Sequence, residues 1–138
     1  MALTHLIDTS VIKRLPNGRV RSVVEPLATR GTVGRATTCD LEVGYSARNS
    51  EEWNRLMAAL AVFPQVASTA DHIQRALQVQ YLLAERSQRG RKIIPDLLVA
   101  AAAEEKGLVL LHYDADFDLI AEVTGQRAEW VVPAGTVD

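Results

Sequence analysis

The sequence predicts an α/β fold, a three-layer α/β/α arrangement with a mostly parallel central sheet. Short apolar runs alternate along the chain with segments whose apolar residues recur at helical spacing. Strands that are separated by helices pair in parallel, and the helices cover both faces of the sheet. With 138 residues, 48% of them apolar, the chain has the length of a single domain, 1–138, with one proper core.

The first half of the chain opens with an apolar run, Leu3–Ile7, which predicts the first strand. A helical segment follows over Arg19–Arg30, and Pro26 is expected to bend or end it. The Thr-rich run Val33–Cys39 predicts a weak second strand, and a short helix is expected over Asp40–Arg48.

Two possible capping boxes mark helix starts in the middle of the chain. Thr37 with Asp40 and Ser68 with Asp71 both have the required three-residue spacing. A further helix is predicted from Ser50 onward behind an acidic first turn. Its apolar residues recur at helical spacing: Trp53, Leu56, Met57 and Leu60. Between these features, Phe63–Ala67 predicts a third strand, and the helix that follows it is expected to reach Gly90.

The last third of the chain has the clearest pattern. Pro95 is suited to the start of a helix, which is predicted over Asp96–Lys106 and ended by Gly107. The remaining predicted elements are a strand at Leu108–Leu111, a helix at Ala115–Thr124 and a last short strand at Trp130–Val132.

Charge and cysteine content restrict the function classes. The formal net charge is −2, so a polyanionic substrate needs local basic patches or metal ions. The single cysteine, Cys39, cannot form an internal disulfide and is expected to be a small buried residue. Asp8 interrupts any signal peptide, and the longest uncharged apolar stretch, Leu97–Ala103, is too short to span a bilayer. A cytoplasmic location is therefore expected.

Acidic residues recur where predicted strands end. Asp8 follows the first strand directly, Glu42 follows the second, and Asp114 follows the Leu108–Leu111 strand, with Asp116 two residues later. Asp96 lies at a predicted helix start. Ligands of open α/β sheets bind beyond the carboxyl ends of the strands, so these acids are expected to converge.

Converging carboxylates need a cation or protons. Two unit charges 4 Å apart repel by about 4 kcal/mol at an effective dielectric of 20. Oxygen ligands without His or Cys suit a hard ion, Mg²⁺ or Mn²⁺, and two such ions support phosphodiester hydrolysis. Each acid also has a structural interpretation, because Asp and Glu are common in the first turn of a helix.

The order of these motifs resembles that of PIN-domain nucleases, most closely the VapC-type toxins of bacterial toxin–antitoxin pairs. The matching segments are LIDTS at residues 6–10, Glu42 early in a helix, IPD at residues 94–96 and YDADF at residues 113–117. The resemblance covers the chain from the first strand to Trp130.

The resemblance implies a PIN-like fold and RNA cleavage that depends on Mg²⁺ or Mn²⁺. It assigns catalysis to Asp8, Glu42, Asp96 and Asp114 and metal binding to Asp8, Asp96, Asp114 and Asp116, with Thr9 and Ser10 in support. It also implies a cognate antitoxin and a homodimer or toxin–antitoxin hetero-oligomer. Many relatives have Thr or Ser where this chain has His112, which leaves the hydrogen bonding around Asp114 open. A histidine that closes a strand is more often structural.

Basic residues flank the acids in sequence and are candidates for phosphate contacts or, equally, for a solvated surface. The RNA-binding candidates are Arg14, Arg86, Arg89, Arg91 and Lys92. Trp53 and Tyr81 lie on apolar helical faces and are expected in the core, although a dimer or antitoxin groove would also use them.

Two other functions fit part of the pattern. Residues 110–117 superficially resemble the aspartate-nucleophile motif of haloacid-dehalogenase-like phosphatases and phosphotransferases, but that motif normally opens its fold. A non-catalytic PIN-like interaction module is the other alternative, and the retained acids count against it.

Overall fold

The computed structural model describes residues 2–86 and 94–138. The strands are β1 (His5–Ile7), β2 (Val33–Ala36), β3 (Gln65–Val66), β4 (Val109–His112) and β5 (Ala128–Trp130). The helices of the described residues are α1 (Thr9–Ile12), α2 (Gly18–Thr29), α3 (Thr37–Tyr45), α4 (Ser50–Leu60), α5 (Ala70–Glu85), α6 (Ile94–Lys106) and α7 (Asp116–Thr124).

The five strands form one sheet in the order β3-β2-β1-β4-β5, and every pairing is parallel. This confirms the predicted α/β class. β1 is the middle strand, and its Ile7 is level with Arg35 of β2 and Leu111 of β4. The three central strands therefore end side by side, and the residues that follow them share one edge of the sheet.

Each face of the sheet has its own apolar core. Leu6 and Leu110 belong to one buried cluster, whereas the next residues in the same strands, Ile7 and Leu111, belong to the other. This separation follows from the alternation of side chains along a strand. The first cluster is covered by residues of α5, α6 and α7, and the second by residues of α2, so helices pack on both faces as predicted.

The second predicted strand and the helix after it have different bounds in the structure. The strand ends at Ala36, and α3 begins at Thr37. The predicted capping box of Thr37 and Asp40 is wrong: Asp40 forms an ion pair with Arg35 at 2.7 Å, and Thr37 Oγ1 accepts a hydrogen bond from the Ser68 N–H at 3.3 Å. Both polar side chains are therefore used in tertiary contacts.

Other helix and strand boundaries in the structure also differ from the predicted ones. The second capping box is shifted by one residue, with Thr69 as N-cap and His72 in the reciprocal position. The last strand is Ala128–Trp130 and not Trp130–Val132. The short helix α1 was not predicted, and the predicted end of α5 at Gly90 lies outside the described residues. Pro26 lies inside α2, three residues before its end.

Two aromatic residues expected in the core are on the surface. Trp53 is 46% exposed and Tyr81 is 64% exposed. Within residues 2–86 and 94–138, no helix combines the length and apolar character needed to cross a membrane.

Candidate metal centre at the carboxyl edge of the sheet

Asp8 occupies the centre of the edge, directly after β1. It is the N-cap of α1, and its Oδ2 accepts a hydrogen bond from the Ser10 N–H at 2.9 Å. Its Oδ1 is buried without a hydrogen-bond partner among the described residues, and the residue is only 3% exposed. Burial raises the pKa of this carboxyl, and the charge of Asp114 adds to the effect. A cation at Oδ1 would stabilise the ionised form of Asp8.

Glu42 reaches the same place from the second turn of α3. Its Oε1 accepts a hydrogen bond from the Thr9 hydroxyl at 2.9 Å, which fixes one carboxylate oxygen. Burial raises the pKa of Glu42, and the neighbouring charges of Asp8 and Asp114 act in the same direction. The Thr9 hydroxyl thus orients an acid that comes from the adjacent strand end.

Asp96, Asp114 and Asp116 form the other side of the cluster, with one carboxylate oxygen from each lying within 4.8 Å of the others. Asp96 comes from the first turn of α6, Asp114 comes from the connection between β4 and α7, and Asp116 is the first residue of α7. Asp114 Oδ1 accepts a hydrogen bond from the Asp116 N–H at 2.9 Å.

The two groups of acids are one electrostatic cluster. Burial and the charges of neighbouring acids together raise the pKa of Asp96 to about 8; burial contributes most, followed by Asp8, Asp114, Glu42 and Asp116 in that order. These mutual effects require the acids to lie near one another, so the structure brings together Asp8, Glu42, Asp96 and Asp114 as expected. Their oxygen-only donor set and the unpartnered Asp8 oxygen fit a hard divalent ion.

Ser10 and Tyr113 hold the loop that carries Asp114. Ser10 Oγ accepts a hydrogen bond from the Tyr113 N–H at 2.9 Å, which ties α1 to the end of β4. The Tyr113 hydroxyl donates to the Val137 carbonyl at 2.8 Å and accepts from the N–H groups of Gly135 and Val137. The C-terminal segment therefore anchors the residue next to Asp114, a role that the sequence did not indicate.

His112 is fully buried, with its ring 5.0 Å from that of Phe117 and 5.1 Å from that of Trp130. Its Nδ1 accepts a hydrogen bond from the Asp114 N–H at 3.2 Å, whereas Nε2 has no partner among the described residues. Burial lowers the pKa of His112, which favours the neutral ring that this acceptor role needs. The Nδ1 atom of His112 therefore has the structural role expected of this histidine, whereas Nε2 does not.

The basic candidates lie in different environments. Arg14 donates to the carbonyls of Ser10 and Asp138, and its guanidinium lies 4.6 Å from the centroid of the Tyr113 ring. Arg86 is exposed at the end of α5. Arg89, Arg91 and Lys92 lie outside the described residues.

Cys39 is fully buried, as the sequence predicts for a small residue of this kind. The structure adds that its Sγ, one oxygen of Asp8 and one oxygen of Glu42 all lie within 4.8 Å of one another. Burial raises the pKa of the thiol to about 12, with Asp8 and Glu42 contributing. The spacing of Cys39 and Glu42, three residues apart on one helix, was the available signal for this contact.

Comparison with known proteins places this site in a family. Residues 5–123 match the PIN domain. Ribonuclease VapC51 of Mycobacterium tuberculosis is 67% identical over 138 residues, covering 100% of both chains. Ribonuclease VapC21 of the same species is 38% identical over 137 residues, covering 99% of each.

A solved structure supports the same fold. The structure of VapBC2 from Rickettsia felis, bound to a DNA fragment from its promoter, has a TM-score of 0.74 at 16% identity and covers 94% of this chain and 98% of that chain. With two thirds of its residues identical to a named VapC ribonuclease along the full length, and with the family's acids gathered at one sheet edge, this chain belongs to the PIN-domain family, among its VapC ribonucleases.

Proposed function

We propose that this protein is a ribonuclease toxin that hydrolyses RNA phosphodiester bonds with Mg²⁺ or Mn²⁺ and is inhibited by a cognate antitoxin. The observation that carries the proposal is the convergence of Asp8, Glu42, Asp96 and Asp114 around an unpartnered buried oxygen of Asp8. Family membership supplies the reaction class, and the carboxylate oxygens of these four acids are ligands that suit Mg²⁺ and Mn²⁺.

The residues have distinct proposed roles. Asp8, Asp96, Asp114 and Asp116 would hold the metal through their carboxylates, which lowers their mutual repulsion. A bound divalent ion lowers the pKa of a coordinated water and stabilises charge on the phosphate and leaving oxygen. Glu42 would accept the proton of the attacking water, and the hydrogen bond from the Thr9 hydroxyl to one of its oxygens would orient the carboxylate for this role.

The partners form the second part of the proposal. Structural neighbours from Rickettsia felis and Salmonella typhimurium are VapBC proteins bound to DNA, and one from Klebsiella pneumoniae is a toxin–antitoxin complex. We therefore propose a protein antitoxin as partner and either a homodimer or a toxin–antitoxin hetero-oligomer as the assembly. We propose the cytoplasm as the location, because RNA is the proposed substrate. Arg86, Arg89, Arg91 and Lys92 remain candidates for RNA contacts, whereas Arg14 already donates to two carbonyls.

The test is cleavage of end-labelled structured and unstructured RNAs by the purified protein, with Mg²⁺, with Mn²⁺ and with EDTA. We expect cleavage with either ion, loss in EDTA and recovery when the ion is restored. Glu42→Gln should lose activity, while Glu122→Gln makes the same chemical change at an exposed position of α7 and should keep it. Cleavage that continues in EDTA, or equal activity of both variants, would contradict the proposal.

Membership of the VapC ribonucleases leaves no observation that favours a haloacid-dehalogenase-like phosphatase or a non-catalytic module.

A further inference from the structure

The buried thiol of Cys39 lies next to the acidic cluster. α3 supplies both Cys39 and Glu42, and the end of β1 supplies Asp8, so three potential ligands from two elements face one point. Thiol sulfur differs chemically from the carboxylates around it, because it binds soft ions and adds little to the binding of Mg²⁺. The cluster therefore contains two overlapping sets of ligands, one of carboxylate oxygens alone and one that includes the thiol sulfur.

We propose that Asp8, Cys39 and Glu42 form a site for a thiophilic divalent ion, Zn²⁺ or Cd²⁺, that shares Asp8 with the proposed catalytic centre. The shared ligand is the second observation that points to a metal here. Asp8 is 3% exposed, and its Oδ1 has no hydrogen-bond partner in the described part of the chain. The Cys39 thiol lies within 4.8 Å of an oxygen of this carboxylate, and a thiol together with carboxylates forms a mixed sulfur and oxygen site.

The geometry suits a four-coordinate ion. Bonds of about 2.3 Å to sulfur and about 2.1 Å to oxygen place tetrahedral ligands roughly 3.5 Å apart. The three ligand atoms already lie within 4.8 Å of one another, so each pair has to close by about 1.3 Å at most. Glu42 is only partly buried and can supply this movement, and the fourth position is left for water.

Binding converts the thiol into a thiolate ligand. The sulfur–hydrogen bond breaks, the metal–sulfur bond forms and the proton passes to the buffer. The thiol also gives up its contact with the Ile7 carbonyl, which is long at 3.7 Å and therefore weak. Mg²⁺ keeps oxygen ligands and several waters, so it leaves Cys39 protonated and unbound.

Occupancy of this site has a consequence for catalysis. An ion held by Cys39 and Glu42 takes Asp8 and the proposed proton acceptor away from the hard-ion centre. Zn²⁺ should therefore inhibit RNA cleavage in competition with Mg²⁺ or Mn²⁺. This consequence rests on the proposed function, whereas the binding itself does not.

The direct experiment is a titration of the purified metal-free protein with Cd²⁺, followed by the ultraviolet charge-transfer absorption of a cadmium–thiolate bond. We expect the band to saturate at one equivalent and to disappear when Zn²⁺ is added in excess. Cys39→Ser should abolish it, and Asp8→Asn and Glu42→Gln should each weaken Cd²⁺ binding at least tenfold. Glu122→Gln, which changes an exposed acid, should leave the titration unchanged.

Several results would overturn the proposal. One such result is that the folded wild-type protein shows no charge-transfer band at one equivalent of Cd²⁺. This result can be interpreted without any variant. Another is a band of equal affinity in Asp8→Asn and Glu42→Gln, which assigns the ion to the thiol alone. Circular dichroism checks the fold of each variant, and Cys39→Ala replaces Cys39→Ser if the serine is not tolerated.

A second arm measures zinc inhibition, with each protein's rate expressed relative to its own rate in Mg²⁺ or Mn²⁺. The Zn²⁺ concentration for half inhibition should rise at least tenfold in Cys39→Ser. Equal inhibition of both proteins would contradict the competition. If no ion supports RNA cleavage, the proposed function fails, and the cadmium titration still decides whether the thiophilic site exists.

Discussion

Individual side chains explain why this edge of the sheet needs a cation. Asp96 lies among acids from three other segments, and its raised pKa of about 8 records their combined effect with burial. The sequence predicted this convergence because strand ends of a parallel sheet meet at one edge. It could not predict the unpartnered oxygen of Asp8, since that depends on which donors the short helix α1 presents.

The contact between Cys39 and the acids was missed for a related reason. A strand continuing to Cys39 would have placed that residue by alternation, whereas α3 begins at Thr37. Within the helix, Cys39 and Glu42 lie on the same face and point together at Asp8. Because β2 ends and α3 begins three residues earlier than predicted, Cys39 lies beside the acids of the site.

The raised pKa of Asp96 predicts how the stability of the metal-free protein depends on pH. The folded state binds the Asp96 proton more tightly than the unfolded chain, in which the carboxyl has its ordinary pKa of 3.8. This contribution to stability is complete at pH values below 3.8 and is lost as the pH rises towards 8. Asp96→Asn should therefore gain stability over the wild type as pH rises from 5 to 8.5, by about 1–2 kcal/mol after allowance for solvent exposure.

Urea unfolding in EDTA across this pH range measures the difference. Asp71→Asn makes the same change at an exposed position at the start of α5, and its difference from the wild type should stay constant. An Asp96→Asn curve parallel to that of the wild type would contradict the electrostatic account.

At the level of elements, the connection between β4 and α7 is held by the C-terminal segment. Tyr113→Phe removes the hydroxyl that bonds Gly135 and Val137 but keeps the aromatic ring against Trp130. We expect a loss of about 1–2 kcal/mol in the free energy of unfolding. Amide exchange at residues 134–138 should also become faster.

The matched variant is Tyr81→Phe, which removes an exposed hydroxyl that donates to Glu85 at 3.3 Å. It should change the free energy of unfolding by less than about 0.5 kcal/mol. Equal effects of the two substitutions would show that the segment is not anchored through Tyr113.

The packing of α3 against α4 depends on a small residue. A Cβ at Gly44 would lie 2.7 Å from Trp53 Nε1, closer than atoms can approach. Gly44→Ala should destabilise the protein by about 1–3 kcal/mol through overpacking. At Gly18 the nearest atom is 3.8 Å away, so Gly18→Ala should be neutral or stabilising in the same urea experiment.

Helix starts show where sequence patterns were ambiguous. Ser68 and Thr69 are both good N-cap residues, and the sequence favoured Ser68 because an acid follows three residues later. The structure uses Thr69, because the buried His72 accepts the reciprocal hydrogen bond and also contacts Glu105 at 2.7 Å. The contact of His72 with α6 therefore determines which residue caps the start of α5.

At the scale of the whole molecule, the alternation of strands and helices was sufficient to predict the parallel sheet and its two covered faces. It did not predict that Trp53 and Tyr81 would be exposed, because periodicity identifies an apolar face without identifying what covers it. Exposed aromatic side chains of this kind are consistent with a partner protein.

The slight negative charge of the chain and its acidic cluster predict how an antitoxin would inhibit it. An arginine suits carboxylates best, because its planar guanidinium can pair with two oxygens. We expect a segment of the antitoxin to lie along apolar helical surface and to place Arg or Lys near Asp96 or Asp114. Replacing that residue with alanine should weaken inhibition of RNA cleavage at least tenfold, and undiminished inhibition would exclude charge competition.

RNA cleavage by Asp96→Asn, compared with the wild type in Mn²⁺ and in Mg²⁺, tests the central claim that the acidic cluster is a metal-dependent catalytic centre. Asparagine keeps the size of the side chain and removes the charge that the ion needs. We predict that the variant folds, binds Mn²⁺ more weakly and cleaves RNA at least 100-fold more slowly. A correctly folded Asp96→Asn protein with wild-type cleavage would contradict the account.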